Sequence, residues 1–360
     1  MEAMLDTHRH LYNRALAERK DAYETEQRTV RYGEQSARLK DDRTTNPSLT
    51  KTNFSSCQAT LRRLDKALTA FFRRLKAGEK PGYPRFRGPG RYNTVEFPSY
   101  GDGCKLDGSR VYFQHIGTVK VKLHRPTLGI IKTVSFTHEA GHWYVVFSCD
   151  LGDVQVTPSA NPSTGIDLGL KAFVVTADGQ QVNPPQYYRK AQKALRVAQR
   201  IVARRQKGGN RRHKAVRRLA RRHQHIANQR RDFHHKTAHR LIQQYGSIAH
   251  EDLHVRGIAR TRLAKSTHDA GWTQFLTILH SKAEEAGVTV IAVSPHNTTQ
   301  MCSGCGALPT TPKTLKDRVH TCSCGLVLDR DVNAARNILA KAARTEPSGV
   351  NVAGVPACVA

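Results

Sequence analysis

The chain has 360 residues, of which 58 are lysine or arginine and 29 are aspartate or glutamate, giving a formal net charge of +29. This length suits two or three domains with buried cores and excludes a peptide-sized scaffold. Charge repulsion of this size is best relieved by a polyanion, so nucleic acid is the leading partner. A basic membrane-surface protein and a ribosome-associated protein are the alternatives.

The N-terminus lacks the pattern of a signal peptide, and no apolar run approaches the length of a bilayer-spanning helix. We therefore expect a cytoplasmic protein with no membrane partner. Four of the eight cysteines lie between residues 302 and 324, whereas Cys57, Cys104, Cys149 and Cys358 follow no framework pattern. This usage is typical of a reducing compartment, and we expect these four to be packing or surface thiols.

The first 80 residues predict helices joined by a polar, charged connection. The later of the two apolar stripes contains Leu61, Leu64, Leu68, Phe71 and Leu75. From residue 81 to 160, a loop rich in proline, glycine and arginine gives way to segments of alternating apolar residues. These segments predict a small β barrel.

The loop from residue 83 to 92 interleaves arginines with aromatic residues. The arginines are Arg85, Arg87 and Arg91, and the aromatic residues are Tyr83, Phe86 and Tyr92. Such a loop can stack on bases and clamp phosphates. Simple packing of the loop is an equally good interpretation.

The segment TGIDLGLKAFVVTADGQQV predicts a strand that ends at Asp167, a glycine turn, and a second strand through Phe173 to Thr176. An Asp-Gly hairpin follows at Asp178 and Gly179. The first strand of this hairpin therefore carries an acid at its end.

Residues 186–245 predict helical runs that are broken near Gly208 and Gly209. Acids are almost absent from this stretch, so its positive charges cannot be neutralised along the helices. An external phosphate backbone would neutralise them, and we select as contact candidates Arg196, Arg200, Arg204, Arg211, Arg217 and Arg221. A solvated helical hairpin without a partner is the alternative.

The C-terminal half alternates strands with helices. Residues 247–251 and 288–293 predict strands, and residues 271–287 predict a helix with one apolar face. This alternation predicts an α/β sheet. A last helix is expected from about Asp331, followed by a disordered tail over 346–360.

Four cysteines have the spacing of a structural zinc site. Cys302 and Cys305 form a CxxC pair, Cys322 and Cys324 form a CxC pair, and sixteen residues separate the pairs. Four thiolates close a tetrahedral site, so this Zn²⁺ would hold a fold and leave no position for water. His320 is an alternative ligand because the second pair is short, but we favour four thiolates.

Three acids fall where a strand ends or a helix begins: Asp167, Glu251 and Asp331. Each acid alone is weak evidence of a catalytic site, because an acid after a strand is usually a loop residue and an acid at a helix start is usually a cap. Together they fit phosphodiester hydrolysis by two Mg²⁺ or Mn²⁺ ions, which carboxylate oxygens bind well. The sequence alone does not establish that they converge.

Several motifs occur in a fixed order between residues 165 and 339. They are GIDLGLKAFVVTADG, EDLHVRGI, WxxFxxxLxxKAExxG, VSPHNTTQMCSGCG and TCSCGLVLDRDVNAARNIL. In this set, over about half its length, the chain resembles the TnpB (OrfB) family of insertion-sequence proteins, compact relatives of type V CRISPR effectors. The resemblance implies an α/β RNase H-like (RuvC) nuclease domain interrupted by a zinc ribbon and preceded by a helical recognition lobe and a wedge β barrel.

The resemblance also implies roles for the acids. Asp167 would be the first nuclease acid, Glu251 the second and Asp331 the third, with Asp329 outside the metal site. The implied partners are a guide RNA and target double-stranded DNA, with base pairing reading the sequence. The implied cofactors are Mg²⁺ or Mn²⁺ and Zn²⁺.

The domains expected from this resemblance follow the composition changes. They are a recognition lobe at 1–80, a wedge barrel at 81–160, nuclease segments at 161–301 and 326–345, a zinc ribbon at 302–325 and a tail at 346–360. Family members usually open with a short basic β strand, whereas this chain opens with a helical pattern, so we expect a wedge strand to be missing from it.

The sequence predicts a transposon-encoded, RNA-guided, metal-dependent DNA endonuclease. One alternative is a guide-directed repressor that has lost nuclease activity and only occupies DNA. Another is a transposase that transfers strands directly at transposon ends. The presence of all three acids argues against the first, and the family resemblance argues against the second.

Overall fold

The computed structural model describes residues 1–153, 155–314 and 316–344. It divides into two compact units, Met1–Val154 and Gln155–Ala360. The expected tail at 346–360, with Cys358, lies outside the described residues. Across the part that is described, no helix is both long and apolar enough to cross a membrane.

The first unit begins with helices, as the apolar stripes predict. They are α1 (Glu2–Glu26), α2 (Tyr32–Thr45), α3 (Pro47–Thr50) and α4 (Phe54–Lys76). The stretch between α1 and α4 is polar, as predicted, but it is not only a connection, because most of it forms α2. This helix has few apolar residues but buries the side chain of Gln35, which accepts a 2.9 Å hydrogen bond from Nε of Arg19.

Two antiparallel sheets complete the first unit. Their strands are β1 (Thr94–Phe97), β2 (Cys104–Asp107), β3 (Arg110–Phe113), β4 (Gly117–Lys120), β5 (Ile130–Glu139) and β6 (His142–Asp150). The strand orders are β1-β5-β6 and β2-β3-β4. The rings of Phe97, Phe113 and Phe136 meet at 5.3–6.3 Å and join the core that also contains the helical leucines.

A five-stranded mixed sheet organises the second unit. Its strands are β7 (Ser163–Asp167), β8 (Val174–Thr176), β9 (Gln181–Val182), β10 (Ser247–Glu251) and β11 (Thr289–Val293). The order is β11-β10-β7-β8-β9, in which β7, β10 and β11 are parallel and β8 and β9 are antiparallel to their neighbours. The predicted α/β sheet, with a strand ending at Asp167, is confirmed.

The remaining elements of the second unit are mostly helices. They are α5 (Tyr187–Ala203), α6 (Asn210–Gln244), α7 (Val255–Ile258), α8 (Ala264–Ala270), α9 (Trp272–Ala286) and α10 (Arg330–Arg344), with a hairpin of β12 (Val319–Thr321) and β13 (Val327–Asp329). The predicted break in the basic stretch is confirmed, because α5 and α6 are separate helices joined across Gly208 and Gly209.

Helices cover both faces of the five-stranded sheet. On one face, Ile166 and Ile248 pack with residues of α6 and α9 such as Leu241 and Phe275. On the other face, Ala249 packs with Ile338 of α10. Side chains alternate along a strand, so a residue two positions further on faces the same side of the sheet. Asp167, two positions after Gly165, and Glu251, two positions after Ala249, therefore lie on the face that α10 covers.

Candidate functional site

Asp167 and Glu251 end neighbouring parallel strands. The register pairs His250 of β10 with Ile166 of β7, so Glu251 follows directly beside Asp167. Adjacent strands lie about 4.8 Å apart. Both acids also share the sheet face that is covered by α10, so their carboxylates are brought to one edge of that face.

Helix α10 approaches β7 unusually closely at Gly165. A β carbon at this position would lie 2.0 Å from the backbone oxygen of Ala335 and 2.7 Å from the backbone nitrogen of Leu339. Only glycine permits this approach. The close packing places the first turn of α10, which carries Asp331, against the strand that ends at Asp167.

The two aspartates before and in α10 have different roles. Oδ1 of Asp329 accepts hydrogen bonds from the backbone nitrogens of Asp331 at 2.9 Å and Val332 at 3.3 Å, as a helix-capping side chain does. Oδ1 of Asp331 instead accepts from Nε of Arg330 at 3.2 Å. Asp329 therefore caps the helix, and of the two aspartates Asp331 raises the pKa of Asp167 more strongly.

The electrostatic environment also groups the acids. Burial, together with the negative charges of Glu251 and Asp331, raises the pKa of Asp167 from its ordinary 3.8 to about 8, against a lowering by Arg330. Burial likewise raises the pKa of Glu251, opposed by a hydrogen bond from Thr298. The charges of Glu251 and Asp331 both act on Asp167, and Arg330 and Lys341 are the cations that act on Asp167 and Glu251 respectively. A buried carboxylate beside two other acids favours added positive charge.

These shifts predict that Asp167→Asn stabilises the metal-free protein at pH 8. The pKa of Asp167 is raised on folding, so its contribution is most favourable below pH 3.8 and is lost as pH rises toward 8. Asparagine cannot ionise, so thermal unfolding in a chelator should show a melting temperature several degrees above wild type at pH 8. The difference should narrow as the pH is lowered toward 5.

A control for this prediction is Asp178→Asn. Burial raises the pKa of Asp178, but hydrogen bonds from Thr176, Tyr245 and Gln180 outweigh this and lower it. Its ionised form is therefore the favoured one, and the substitution should not stabilise the protein at pH 8. Equal melting temperatures for wild type and Asp167→Asn at pH 8 would contradict the assigned environment.

The four predicted cysteines converge. Among the described residues they are the one group of three or more such potential metal ligands, and their sulfur atoms all lie within 4.8 Å of one another. Two of the sulfur pairs, Cys302 with Cys324 and Cys305 with Cys322, are 3.7 Å and 3.5 Å apart. Tetrahedral Zn–S bonds of about 2.3 Å require sulfur separations of about 3.8 Å, so the arrangement fits Zn²⁺.

His320 lies outside this group. Its side chain is buried, and Nδ1 contacts Nζ of Lys313 and not a cysteine. Each cysteine pair is followed by a glycine in the left-handed region, Gly306 with φ of 76° and Gly325 with φ of 87°, which closes the turn around the sulfurs. The structure thus favours four thiolates without the histidine.

The arginine loop of the first unit is anchored through its backbone. Asn13 donates a 2.9 Å hydrogen bond to the oxygen of Arg87 and accepts a 2.7 Å bond from its nitrogen. The Arg87 guanidinium also lies 5.7 Å from the ring of Tyr12. The loop therefore packs at Arg87, while the side chains of Arg85 and Arg91 are exposed. Contact of this loop with nucleic acid stays a prediction.

The arginine candidates of α5 and α6 are all exposed; they are Arg196, Arg200, Arg204, Arg211, Arg217 and Arg221. The helices pack through Leu195, Ala198 and Ile226, which are buried. Asp232 is the one acid between residues 187 and 244, and it pairs with Lys236 at 2.8 Å. The surface of the hairpin is therefore strongly positive without compensation from its own sequence.

Sequence reasoning missed the residues that support the acids. They are Thr298, Arg330, Asn333, Asn337 and Lys341. The last three recur every four residues in α10, a spacing that puts polar side chains on one helix face. This spacing is the signal in the sequence from which a polar face of α10 could be predicted. In the structure Asn333 and Asn337 are fully buried, and buried amides need hydrogen-bond partners.

Comparison with known proteins agrees with this geometry. The family model OrfB_IS605, described as "Probable transposase", matches residues 146–262, and the model "Cas12f1-like, TNB domain" matches residues 272–338. A protein of Streptomyces pristinaespiralis named "Putative RNA-guided DNA endonuclease" is 31% identical over 341 residues, which cover 92% of this chain and 82% of the relative. A protein of Escherichia coli K12 named "Putative RNA-guided DNA endonuclease InsQ" is 30% identical over 353 residues, which cover 92% of this chain and 86% of the relative.

The fold also has a solved counterpart. The structure titled "Cryo-EM structure of the Cas12f1-sgRNA-target DNA complex" matches with a TM-score of 0.59 and 15% identity, covering 94% of this chain and 81% of that chain. At this identity the match establishes the fold alone, whereas the near full-length relatives establish the ancestry. The chain belongs to the OrfB_IS605 family of probable transposases, the TnpB family.

Proposed function

We propose that this chain is a transposon-encoded, RNA-guided DNA endonuclease that hydrolyses DNA phosphodiesters at Asp167, Glu251 and Asp331. The observation that carries the proposal is the convergence of these acids on one face of the five-stranded sheet. The relatives named as RNA-guided DNA endonucleases supply the substrate class and the guide. The proposed partners are accordingly a guide RNA and target double-stranded DNA.

The sheet supports a nuclease of the RuvC, or RNase H, type. On one side of its central strand β7, β8 pairs antiparallel to β7 and β9 antiparallel to β8, and on the other side lie parallel β10 and β11. We propose that this domain occupies 161–301 and 326–345, with a zinc ribbon at 302–325. Ahead of this domain in sequence we propose a helical recognition lobe at 1–80 and a wedge-like β barrel at 81–160.

The acids suit hard divalent cations, with Mg²⁺ or Mn²⁺ as the proposed ions. Carboxylate oxygens are the preferred ligands of such ions. The pKa of Asp167 is raised first by burial and then by the charges of Glu251 and Asp331, which a bound cation would offset. Two such ions about 4 Å apart would activate water and stabilise the leaving oxygen in hydrolysis. Arg330 fixes Asp331 from the side, and Asp329 holds the helix start that carries it.

The exposed arginines support nucleic-acid binding. The α5–α6 hairpin offers guanidinium groups that can contact successive phosphates, and the loop at 83–92 adds exposed Phe86 next to Arg85 and Arg87. Aromatic rings stack on bases irrespective of sequence, while arginines contact the backbone. This division suits a protein in which base pairing reads the target.

Replacing Arg196, Arg200 and Arg204 of α5 together with glutamine should weaken nucleic-acid binding and reduce its dependence on salt. Each lost phosphate contact lowers the slope of log K against log salt by about 0.9 for duplex DNA or about 0.7 for single strands. Binding titrations between about 50 and 200 mM salt measure the slope. Lys236→Gln is the control, because this lysine already pairs with Asp232; an unchanged slope in the triple variant would remove α5 from the interface.

The proposed function is tested with RNA that copurifies with the protein. This RNA is sequenced, its guide segment is replaced, and purified complex is incubated with matched and mismatched DNA in Mg²⁺. We expect cleavage of the matched DNA only. Protection of matched DNA without cutting would favour a repressor, and RNA-independent joining of transposon ends would favour a strand-transfer enzyme.

A further inference from the structure

Thr298 contacts the second carboxylate directly. Its side chain is 1% exposed, and its hydroxyl donates a hydrogen bond to Oε1 of Glu251. The same hydroxyl lies 3.0 Å from the backbone oxygen of Pro295. Since Thr298 follows β11 and Glu251 ends β10, this contact is not local in sequence.

The segment that carries Thr298 is held by two asparagines of α10. Nδ2 of Asn337 donates to the backbone oxygens of Thr298 at 2.8 Å and Met301 at 2.7 Å. Nδ2 of Asn333 donates to the same oxygen of Met301 at 2.8 Å. Both asparagines are buried. Loss of Asn337 would remove the bond to the Thr298 oxygen, whereas the Met301 oxygen would keep one donor after loss of either side chain.

The row of polar side chains that begins with Asn333 and Asn337 makes further contacts in both directions along α10. Nζ of Lys341 donates to the backbone oxygens of Ser294 at 3.1 Å and of His296, at the start of the same segment. At the other end, Oδ1 of Asn333 accepts a 2.9 Å bond from the backbone nitrogen of Ser303, which lies between the first two cysteines. One helix face therefore fastens the whole connection from β11 to the cysteine cluster.

We propose that Thr298 is a positioning residue for Glu251, and that Asn333, Asn337 and Lys341 hold Thr298 in place from α10. The proposal rests on the proposed function, since it assigns Glu251 a metal-binding task. A glutamate has rotatable bonds that let its carboxylate leave the site. A buried hydroxyl bonded to one oxygen fixes the carboxylate, as the outer partners of metal ligands do.

The test is the binding of Mn²⁺ to the whole protein, measured by electron paramagnetic resonance without nucleic acid. Thr298→Val replaces the hydroxyl with a methyl group of similar size and should weaken Mn²⁺ binding by about 10-fold to 100-fold, the loss typical of such outer partners. Thr298→Ser keeps the hydroxyl and should bind nearly as wild type does. In the cleavage assay, Thr298→Val should need correspondingly more Mg²⁺ for half-maximal rate, with guide RNA binding unchanged.

Asn337→Ala provides a second route if Thr298→Val fails to fold. It should weaken Mn²⁺ binding in the same direction, and in a folded double variant the two losses should be less than additive because both act through one contact. Wild-type Mn²⁺ affinity in folded Thr298→Val, or in Asn337→Ala, would overturn the inference alone. Equal Mn²⁺ binding by wild type and Asp167→Ala would instead overturn the proposed carboxylate site.

Discussion

Asp167→Ala should abolish DNA cleavage while leaving guide RNA and target DNA bound. Asp167 lies at the end of β7, between Glu251 on the neighbouring strand and Asp331 on α10, so its removal opens the middle of the proposed site. We expect the cleavage rate at saturating Mg²⁺ to fall by about a thousandfold or more, equivalent to about 4 kcal/mol in the barrier. Single-turnover cleavage of matched DNA measures this loss.

Measured RNA and DNA affinities distinguish a chemical role of Asp167 from a structural one. The exposed arginines that we assign to nucleic acid lie on other elements, so RNA and DNA affinities of the Asp167→Ala variant should match those of wild type. Asp232→Ala is the matched control, because this exposed acid on α6 pairs only with Lys236 among the ion pairs of the described residues. Retained cleavage by purified Asp167→Ala protein would refute the assignment of this acid.

The sequence predicted the elements that carry the acids because their patterns are local. Strands β7 and β10 are short, largely buried segments that end in an acid, and α9 has an apolar face bounded by glycines. Parallel neighbouring strands place equivalent ends side by side, so the meeting of Asp167 with Glu251 follows once the strand order is known. The order itself came from resemblance, since no local pattern states which strands are neighbours.

The remaining features depend on contacts between distant residues. The motif DRD offers two similar aspartates, and only the hydrogen bonds of Asp329 with the helix nitrogens show that it is the cap. Thr298 looks like an ordinary turn residue until β10 and α10 are packed around it. His234 lies in a strongly polar stretch of sequence, yet its side chain is fully buried and stacks on Phe173.

Metal analysis should find about one Zn²⁺ per chain, and Cys305→Ser should lose that metal together with much of the stability of the second unit. Sulfur pairs at 3.5 Å and 3.7 Å are already spaced for a tetrahedral ion. A structural Zn²⁺ contributes its binding free energy to folding, about 10–16 kcal/mol in zinc-finger peptides. Elemental analysis and thermal unfolding of wild type and variant measure both effects.

Two controls separate zinc binding from general thiol loss and from histidine ligation. Cys149→Ser removes a half-buried thiol of β6 and should retain zinc and stability. His320→Ala should also retain zinc, because the histidine contacts Lys313 and the cysteine group is complete without it, whereas Cys324→Ser should lose the metal. A folded wild-type protein without zinc would contradict the four-cysteine site. Loss of zinc in His320→Ala, with zinc retained in Cys324→Ser, would show that the imidazole of His320 is the fourth ligand in place of the Cys324 thiolate.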